Sequence, residues 1–432
     1  MKSIRERTLP LFLLAILAAT IIPSHAGEPL YITGLEADNP GEPYRWTLNP
    51  LPFRTDRGGL GNQTNAQANE LVSSAFQIWE DVDTADITFE NQGSLDYDVT
   101  AINVLGFLND IFDCSDAAQP VNSVVYDLNG SILTALGYDN NSTLGFASIA
   151  CSDDVTGVFN RSYSVMNGRF IDGSPDTPSH STVSLAKFKT TFAHEFGHQL
   201  GLGHSQINLN CLTDITCPSE DWDGIPLMFP ILLDEAGGDL KTDDIAFISL
   251  LYPSDNFEST TGRIQGRVVF SDGQTPAQGY NVIARSVDDP RRSAVSCISG
   301  FLYTAVTGNP LEPDAYDVSD FFGSRDPALV GYYDIPGLPP GDYTLEVEAI
   351  HNSGLNPFVR GSSVGPIGDA FEFQFSMPGA CRRQYLNHPS SPDDDCDAST
   401  TVTVEAGATL TTDTDIILLG TAPRYDAWED GP

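Results

Sequence analysis

Three histidines and one glutamate lie in a short stretch that reads His-Glu-Phe-Gly-His-Gln-Leu-Gly-Leu-Gly-His. On a helix, His194 and His198 are one turn apart on the same face, so both imidazoles can reach one metal ion, with Glu195 beside them. A zinc site that performs chemistry has three protein ligands and one open position for water, and His204 can be the third ligand. Gly201 can adopt the left-handed conformation that ends a helix and turns the chain back toward the ion. The spacing therefore predicts a catalytic zinc site.

The helix that carries His194 and His198 must bury one face and keep the two histidines accessible. Ser184 is a suitable N-cap for this helix. Its apolar positions step by three or four residues and form one stripe: Leu185, Phe188, Phe192, Phe196 and Leu200. Each histidine lies about 200° away from the stripe, at about 100° per residue. We therefore expect the stripe to pack in the core and the histidines to face a cleft.

The chain has 432 residues, which is enough for two domains with sizeable cores. Residues 1–26 have a basic start, an apolar run and a Ser-His-Ala end, which predict a signal peptide cleaved after Ala26. A membrane anchor is the alternative, but the apolar run is short for a span. The protein is thus expected to be secreted or periplasmic. We expect five further segments: an exposed N-terminal arm (27–43), a first domain (44–255), a linker (256–262), a β-sandwich (263–420) and a C-terminal tail (421–432).

The formal net charge is −38, from 59 acidic and 21 basic residues. Such a surface repels a polyphosphate, so nucleic acid is excluded as a partner. No stretch after the signal peptide is apolar enough to cross a membrane, and we expect a monomer. The many aspartates are compatible with bound Ca²⁺ or with a simply solvated acidic surface.

Seven cysteines follow the signal segment, and an exported chain permits disulfides. Sequence proximity indicates three pairs: Cys114 with Cys151, Cys211 with Cys217, and Cys381 with Cys396. Cys297 would then be the unpaired thiol. These pairings are hypotheses from proximity, because a sequence does not determine connectivity.

Helical and strand patterns in residues 44–255 predict an α+β domain, with a mixed twisted sheet and about three helices. The expected strands are 44–48, 87–89, 99–105, 123–126, 144–150 and 161–167, and the expected helices are 65–82, the helix from Ser184, and 243–252. From residue 263, strands alternate with turns, as in an all-β sandwich. Its expected strands are 264–270, 281–287, 343–349 and a final pair, 400–404 with 415–419.

The histidine stretch, followed by a methionine turn, resembles the metzincin metalloendopeptidases. Its details are similar to the matrixin branch, the matrix metalloproteinase-like peptidases: Ser205 follows the third histidine, and residues 227–230 read Leu-Met-Phe-Pro. The resemblance covers residues 44–253. It implies a zincin-like α+β fold and the following roles: zinc ligands His194, His198 and His204, general base Glu195, hydrophobic floor Met228 and helix-ending turn Gly201.

The resemblance carries further expectations. The strand at 144–150 would be the sheet edge that pairs with an extended peptide substrate. Calcium would be a structural cofactor, although no loop here indicates its ligands. Ser148 replaces a ligand of the family's second, structural zinc, so that site is not expected. Residues 205–225 form a longer loop than in compact members, so substrate preference does not transfer.

The C-terminal region resembles the carboxypeptidase regulatory-like, transthyretin-type sandwich. The motifs are Gly-Arg-Val-Val-Phe-Ser-Asp-Gly, Gly-Leu-Pro-Pro-Gly-Asp-Tyr-Thr-Leu and Val-Glu-Ala-Gly. The resemblance implies a non-catalytic appendage, with adhesion or substrate targeting as the alternative.

The main prediction is a secreted zinc endopeptidase that hydrolyses proteins or peptides through a zinc-activated water, with Glu195 as general base. One alternative is an adhesive or binding protein on a vestigial protease scaffold. Another is a metal-dependent amidase or deacetylase that acts on a non-peptide polymer. Chelator-sensitive cleavage of casein or gelatin is expected only from the endopeptidase.

Overall fold

The structure is a computed structural model that describes residues 28–34, 37–115, 121–177, 181–208, 223–230, 239–302, 326–349, 383–386 and 399–418. The predicted signal peptide, the C-terminal tail, Cys211, Cys217, Cys381 and Cys396 lie outside these residues. Among the described helices, none is long and apolar enough to cross a membrane.

The first sheet has five strands in the order β2-β1-β3-β5-β4. Their bounds are β1 Leu51–Thr55, β2 Phe89–Ser94, β3 Val121–Asp127, β4 Gly145–Asp153 and β5 Val158–Asn167. Strands β2, β1, β3 and β5 run parallel to one another, whereas β4 runs antiparallel to β5 at the edge. The sheet is therefore mixed, as expected.

Six α-helices occur in the described part of the chain: α1 Asn65–Glu80, α2 Val104–Ile111, α3 Ser131–Ala135, α4 Leu185–Gln199, α5 Thr242–Leu251 and α6 Phe257–Thr260. The expected helix at 65–82 is confirmed as α1, which begins at a capping box on Thr64. Its buried Phe76 stacks on Phe196 of α4, with ring centroids 3.8 Å apart. This packing of α1 on α4 supports the expected α+β fold.

The apolar stripe of α4 is buried as expected at four of its five positions: Phe188, Phe192, Phe196 and Leu200. The exception is Leu185, which is 46% exposed. Leu185 is the first residue of the helix, after the N-cap Ser184, and lies outside the core. The expectation for this residue was wrong, because helical periodicity does not indicate where the core ends.

Two predicted strands were wrong. Residues 99–105 contain a turn and the start of α2, because Val104, Phe107, Leu108 and Ile111 are spaced for one buried helical face. Residues 44–48 form only an isolated bridge, between Arg45 and Val158, and the first strand is β1.

The start of the N-terminal segment is not exposed, although Asp38, Asn39, Pro40 and Glu42 are exposed as expected. Glu28, Leu30 and Ile32 are buried, and Pro29 bridges to Leu202. Its lack of periodicity predicted exposure, but backbone pairing to another loop buries it.

Two further sheets are described from residue 262 onward. Their strands are β6 Gly262–Val269, β7 Tyr280–Ser286, β8 Ala294–Ile298, β9 Tyr332–Leu338, β10 Gly341–Ala349, β11 Arg383–Tyr385, β12 Thr401–Val404, β13 Thr409–Thr411 and β14 Ile416–Ile417. One sheet has the order β11-β10-β7-β8, with β12 also on β10; in the other, β6 pairs with β9, β13 and β14. The expected final pair was wrong, because β12 and β14 belong to different sheets.

Helix α5 joins the first sheet to these later strands. A single cluster of buried side chains includes Phe247 of α5, Phe192 of α4 and Ile335 of β9. Gly337 approaches α5 so closely that a Cβ atom there would lie 2.7 Å from the Cα of Ala246. The apolar core therefore continues across this junction.

The disulfide between Cys114 and Cys151 is confirmed. It ties the segment after α2 to the edge strand β4. Cys297 is a free, buried cysteine in β8, also as expected.

Candidate metal centre

The three histidines converge. Their ligand atoms all lie within 4.8 Å of one another. The Nε2 atom of His204 is 3.2 Å from that of His194 and 3.0 Å from that of His198. Helix α4 carries the first two histidines one turn apart, and the following loop returns the third to them.

Backbone carbonyls orient two of the three rings. His194 Nδ1 donates to the carbonyl of Leu227 at 2.7 Å, and His198 Nδ1 donates to that of Leu202 at 2.8 Å. Because these Nδ1 atoms carry the protons, each neutral ring presents an unprotonated Nε2 atom toward His204.

This arrangement fits a metal ion. Lone pairs that face one another at such short range repel unless a cation lies between them. Ligands about 2.0–2.1 Å from a tetrahedral zinc ion are about 3.3 Å from each other, which is close to the observed separations. Three neutral imidazoles are also a donor set that zinc prefers.

Helix α4 ends at Gln199, and the chain then turns back so that His204 can reach the other two histidines. Gly201 has φ +96°, Leu202 N donates to Gly197 O, and Gly201 N donates to His198 O. These two bonds form a Schellman motif, which satisfies the last carbonyls of the helix and reverses the chain.

The N-terminal segment reinforces this turn. Leu30 N donates to the carbonyl of Gly201 at 2.6 Å, and Gly203 N donates to the carbonyl of Glu28 at 2.8 Å. Sequence reasoning missed these contacts, because no local pattern links residues so far apart in the chain.

Met228 is fully buried beside α4. A Cβ atom on Gly197 would collide with its Sδ atom, so Gly197 permits the close approach. Ser205 N donates to the carbonyl of Met228 at 2.8 Å, which ties the methionine turn to the residue after His204.

A carboxylate at the start of α5 holds the methionine turn. Asp244 accepts hydrogen bonds from the backbone N–H groups of Leu227 at 2.8 Å and Met228 at 2.9 Å, and also from that of Lys241. Since the Leu227 carbonyl accepts from His194, Asp244 supports a ring of the triad through one peptide unit. Sequence reasoning missed this role of Asp244, because no local pattern links it to the methionine turn.

Glu195 lies beside the triad and is 7% exposed. Burial raises its pKa to about 8, opposed by a backbone hydrogen bond from Ala147 of the edge strand β4. Burial also lowers the pKa of His194 to about 4, which keeps this imidazole neutral and available to a metal. The site thus combines neutral ligands with a carboxyl group that can exchange a proton near neutral pH.

A tyrosine side chain lies near this carboxyl group. Tyr138 stacks on Phe146 of β4, with ring centroids 4.7 Å apart. Burial raises the pKa of Tyr138, and the charge of Glu195 adds to the effect. Tyr138 therefore lies near both the edge strand and the carboxyl group.

Comparison with known families points to the same chemistry. Residues 65–205 match the family model described as metallo-peptidase family M12B, reprolysin-like. This range includes Glu195 and all three histidines of the triad. The match and the triad support a zinc-dependent peptidase. None of the curated proteins compared with the chain matches it.

The comparison does not support the expected matrixin branch, because the matching family is reprolysin-like. The methionine turn, which contributed to that expectation, lies beyond the end of the matched range. The match covers about a third of the chain and does not extend to the C-terminal sheets.

Proposed function

We propose that this chain is an exported zinc endopeptidase of the metzincin type. His194, His198 and His204 would hold the ion, Met228 would support the site, and Glu195 would be the general base. The observation that carries the proposal is the convergence of three Nε2 atoms. In His194 and His198 the Nδ1 atom holds the ring proton in a hydrogen bond to a carbonyl, which leaves Nε2 unprotonated. The M12B match supports the same reaction class.

The chain's own groups define the chemistry. When bound, zinc would act as a Lewis acid toward a peptide carbonyl and a water molecule. Glu195 accepts a proton from the attacking water and then delivers it to the leaving amine. Burial raises the pKa of Glu195, so its carboxyl group can hold the proton between the two transfers.

The substrate would bind as an extended peptide along β4. This strand is at the edge of the five-stranded sheet, and its Ala147 N–H reaches Glu195. A peptide that adds to this edge would therefore run past the general base. Proteins or peptides are the substrates that such an edge recognises through main-chain hydrogen bonds.

The test is Glu195→Gln in the full chain, with zinc content and casein cleavage as readouts. The variant should keep stoichiometric zinc, because Glu195 is not a ligand, and lose casein cleavage by at least about 100-fold. A chelator should abolish wild-type cleavage, and added zinc should restore it. A wild-type chain that binds zinc but cleaves neither casein nor a peptide library would instead favour a binding protein on a protease scaffold.

Three finer features are part of the proposal. Residues 1–26 would direct export, residues 263–420 would form a β-sandwich domain that packs against the first domain, and calcium would be a structural ion. The apolar start of the chain, the two sheets after residue 262 and the excess of acidic residues support them, respectively.

A further inference from the structure

We infer that the sheet containing β7, β8 and β10 positions the third histidine, and that Arg285 is the main anchor between this sheet and the loop that carries His204. This inference rests on the proposed zinc site. It assigns a role in the site to a region that the sequence indicated as an appendage.

His204 depends on its loop more than the other two histidines do. His194 and His198 are held by the regular geometry of α4, whereas His204 follows the end of that helix. The next four residues are all buried: Ser205, Gln206, Ile207 and Asn208. A buried loop needs partners for its polar groups, and here the later sheet supplies them.

Arg285 of β7 makes the central contact. Its Nη1 atom donates to Asn208 Oδ1 at 3.0 Å and to the carbonyl of Pro290 at 3.0 Å. Its Nε atom pairs with Glu346 of the neighbouring strand β10. The Arg285 side chain is 9% exposed and that of Glu346 is 4% exposed, so this network is shielded from water. A charge-assisted bond of this kind holds its acceptor in one position.

The backbone of Asn208 indicates that the anchor imposes a conformation. Asn208 has φ 62°, and among the described residues other than glycine it alone has a positive φ. Asparagine tolerates this region at some cost, which the surrounding contacts must offset. The preceding residue, Ile207, packs against Ile283 of β7 and Ala294 of β8.

The same sheet also reaches the other side of His204. Ile298 N of β8 donates to Glu28 Oε1 at 2.5 Å, and the carbonyl of Glu28 accepts from Gly203 N at 2.8 Å. Ser296 N of β8 donates to Asp243 Oδ1 at 2.8 Å, one residue before the aspartate that holds the methionine turn. The loop is thus connected to one sheet both before and after the histidine.

The first test removes the side chain that Arg285 holds. Asn208→Gly keeps the positive φ without strain and deletes the acceptor, whereas Asn208→Asp keeps the acceptor. Loss of an outer partner of a metal ligand typically weakens metal binding by about 10–100-fold. In the full chain, we expect Asn208→Gly to weaken zinc binding at least about tenfold and Asn208→Asp to stay within about twofold of wild type. Zinc affinity is measured by competition with a fluorescent chelator.

The second test removes the ion pair without leaving a buried charge, in the double variant Arg285→Met with Glu346→Gln. Its matched control is Arg263→Met with Asp334→Asn, a cross-strand ion pair of the other sheet, between β6 and β9. Thermal unfolding and near-UV circular dichroism are recorded for each variant. Weaker zinc binding in the first double variant, but not in the control with a similar loss of Tm, supports the anchor.

If the folded Asn208→Gly variant binds zinc as tightly as wild type, the inferred role of Arg285 as an anchor is wrong, whereas the proposed function remains intact. A wild-type chain without measurable zinc affinity would overturn the proposed function itself. If saturating zinc restores casein cleavage in Asn208→Gly, the defect lies in holding the ion, as the anchor requires. The single variants keep the inference testable even if the Arg285 double variant does not fold.

Discussion

The contact between Gly197 and Met228 gives a sharp test of how α4 and the methionine turn fit together. Gly197 lies one residue before His198, and Met228 follows the carbonyl that binds His194. In Gly197→Ala, the new Cβ atom would collide with Met228 Sδ and lie 3.0 Å from Met228 Cε and from Trp79 Cζ2. Both neighbours are fully buried, so neither can move without displacing other core atoms.

Two opposing effects set the magnitude. Alanine in a helix interior is favoured over glycine by about 1 kcal/mol. Overpacking a dense core costs about 1–3 kcal/mol, and contacts this short place Gly197→Ala at the upper end. We therefore expect a net loss of about 2 kcal/mol in the free energy of unfolding, which lowers Tm by about 4–8 °C for a unit of this size.

A double-mutant cycle isolates the contact. Met228→Ala alone should cost about 2–5 kcal/mol, because it leaves a cavity. In the Gly197→Ala, Met228→Ala double variant, the new methyl group enters that cavity, so the total loss should be smaller than the sum by at least about 1 kcal/mol. Denaturant unfolding followed by tryptophan fluorescence measures the free energy of unfolding of wild type, of each single variant and of the double variant. A Gly197→Ala variant as stable as wild type, or strictly additive losses, would refute this account of Gly197.

Two further predictions concern groups outside the site. Burial raises the pKa of Asp56 from 3.8 to about 6. Between these pH values, Asp56 therefore binds more protons in the folded protein than in the unfolded chain. The contribution of Asp56 to stability is thus largest below about pH 4 and declines as the pH rises through 6. Unfolding of Asp56→Asn should accordingly depend less on pH between about 4 and 6 than that of wild type, and an unchanged slope would contradict the shift. Reducing the Cys114–Cys151 disulfide, which closes a sequence separation of 37 residues, should lower the free energy of unfolding by about 4 kcal/mol on the chain-entropy estimate. Denaturant titrations with and without a reductant measure this loss, and coincident curves would exclude it.

The elements that depend on neighbours in the chain could be predicted from the sequence. Helix α1, the buried phenylalanines of α4 and helix α5 follow from apolar spacing at 3.6 residues per turn. The histidine stretch was also recognisable, because two ligands one helical turn apart need no tertiary information to share a face. The Cys114–Cys151 pair was indicated by proximity alone.

Long-range packing decided the rest. The turn and helix at 99–105 were mistaken for a strand, because a short apolar run suits either structure until its buried face is known. Strands β12 and β14 were predicted to pair with each other because they are close in sequence. In the structure, β12 pairs with β10 and β14 pairs with β6. The N-terminal segment was expected to be exposed, but its first described residues are buried against the loop after Gly201.

At the candidate metal centre, the sequence by itself determined which side chains could bind an ion. Only the tertiary structure decided what holds them: the carbonyl of Leu227 on His194, Asp244 on the methionine turn and Arg285 on the loop of His204. Ligand identity is a property of residue type and local spacing. Ligand orientation depends on hydrogen bonds between segments far apart in the chain, and those partners become neighbours only when the sheets and helices pack.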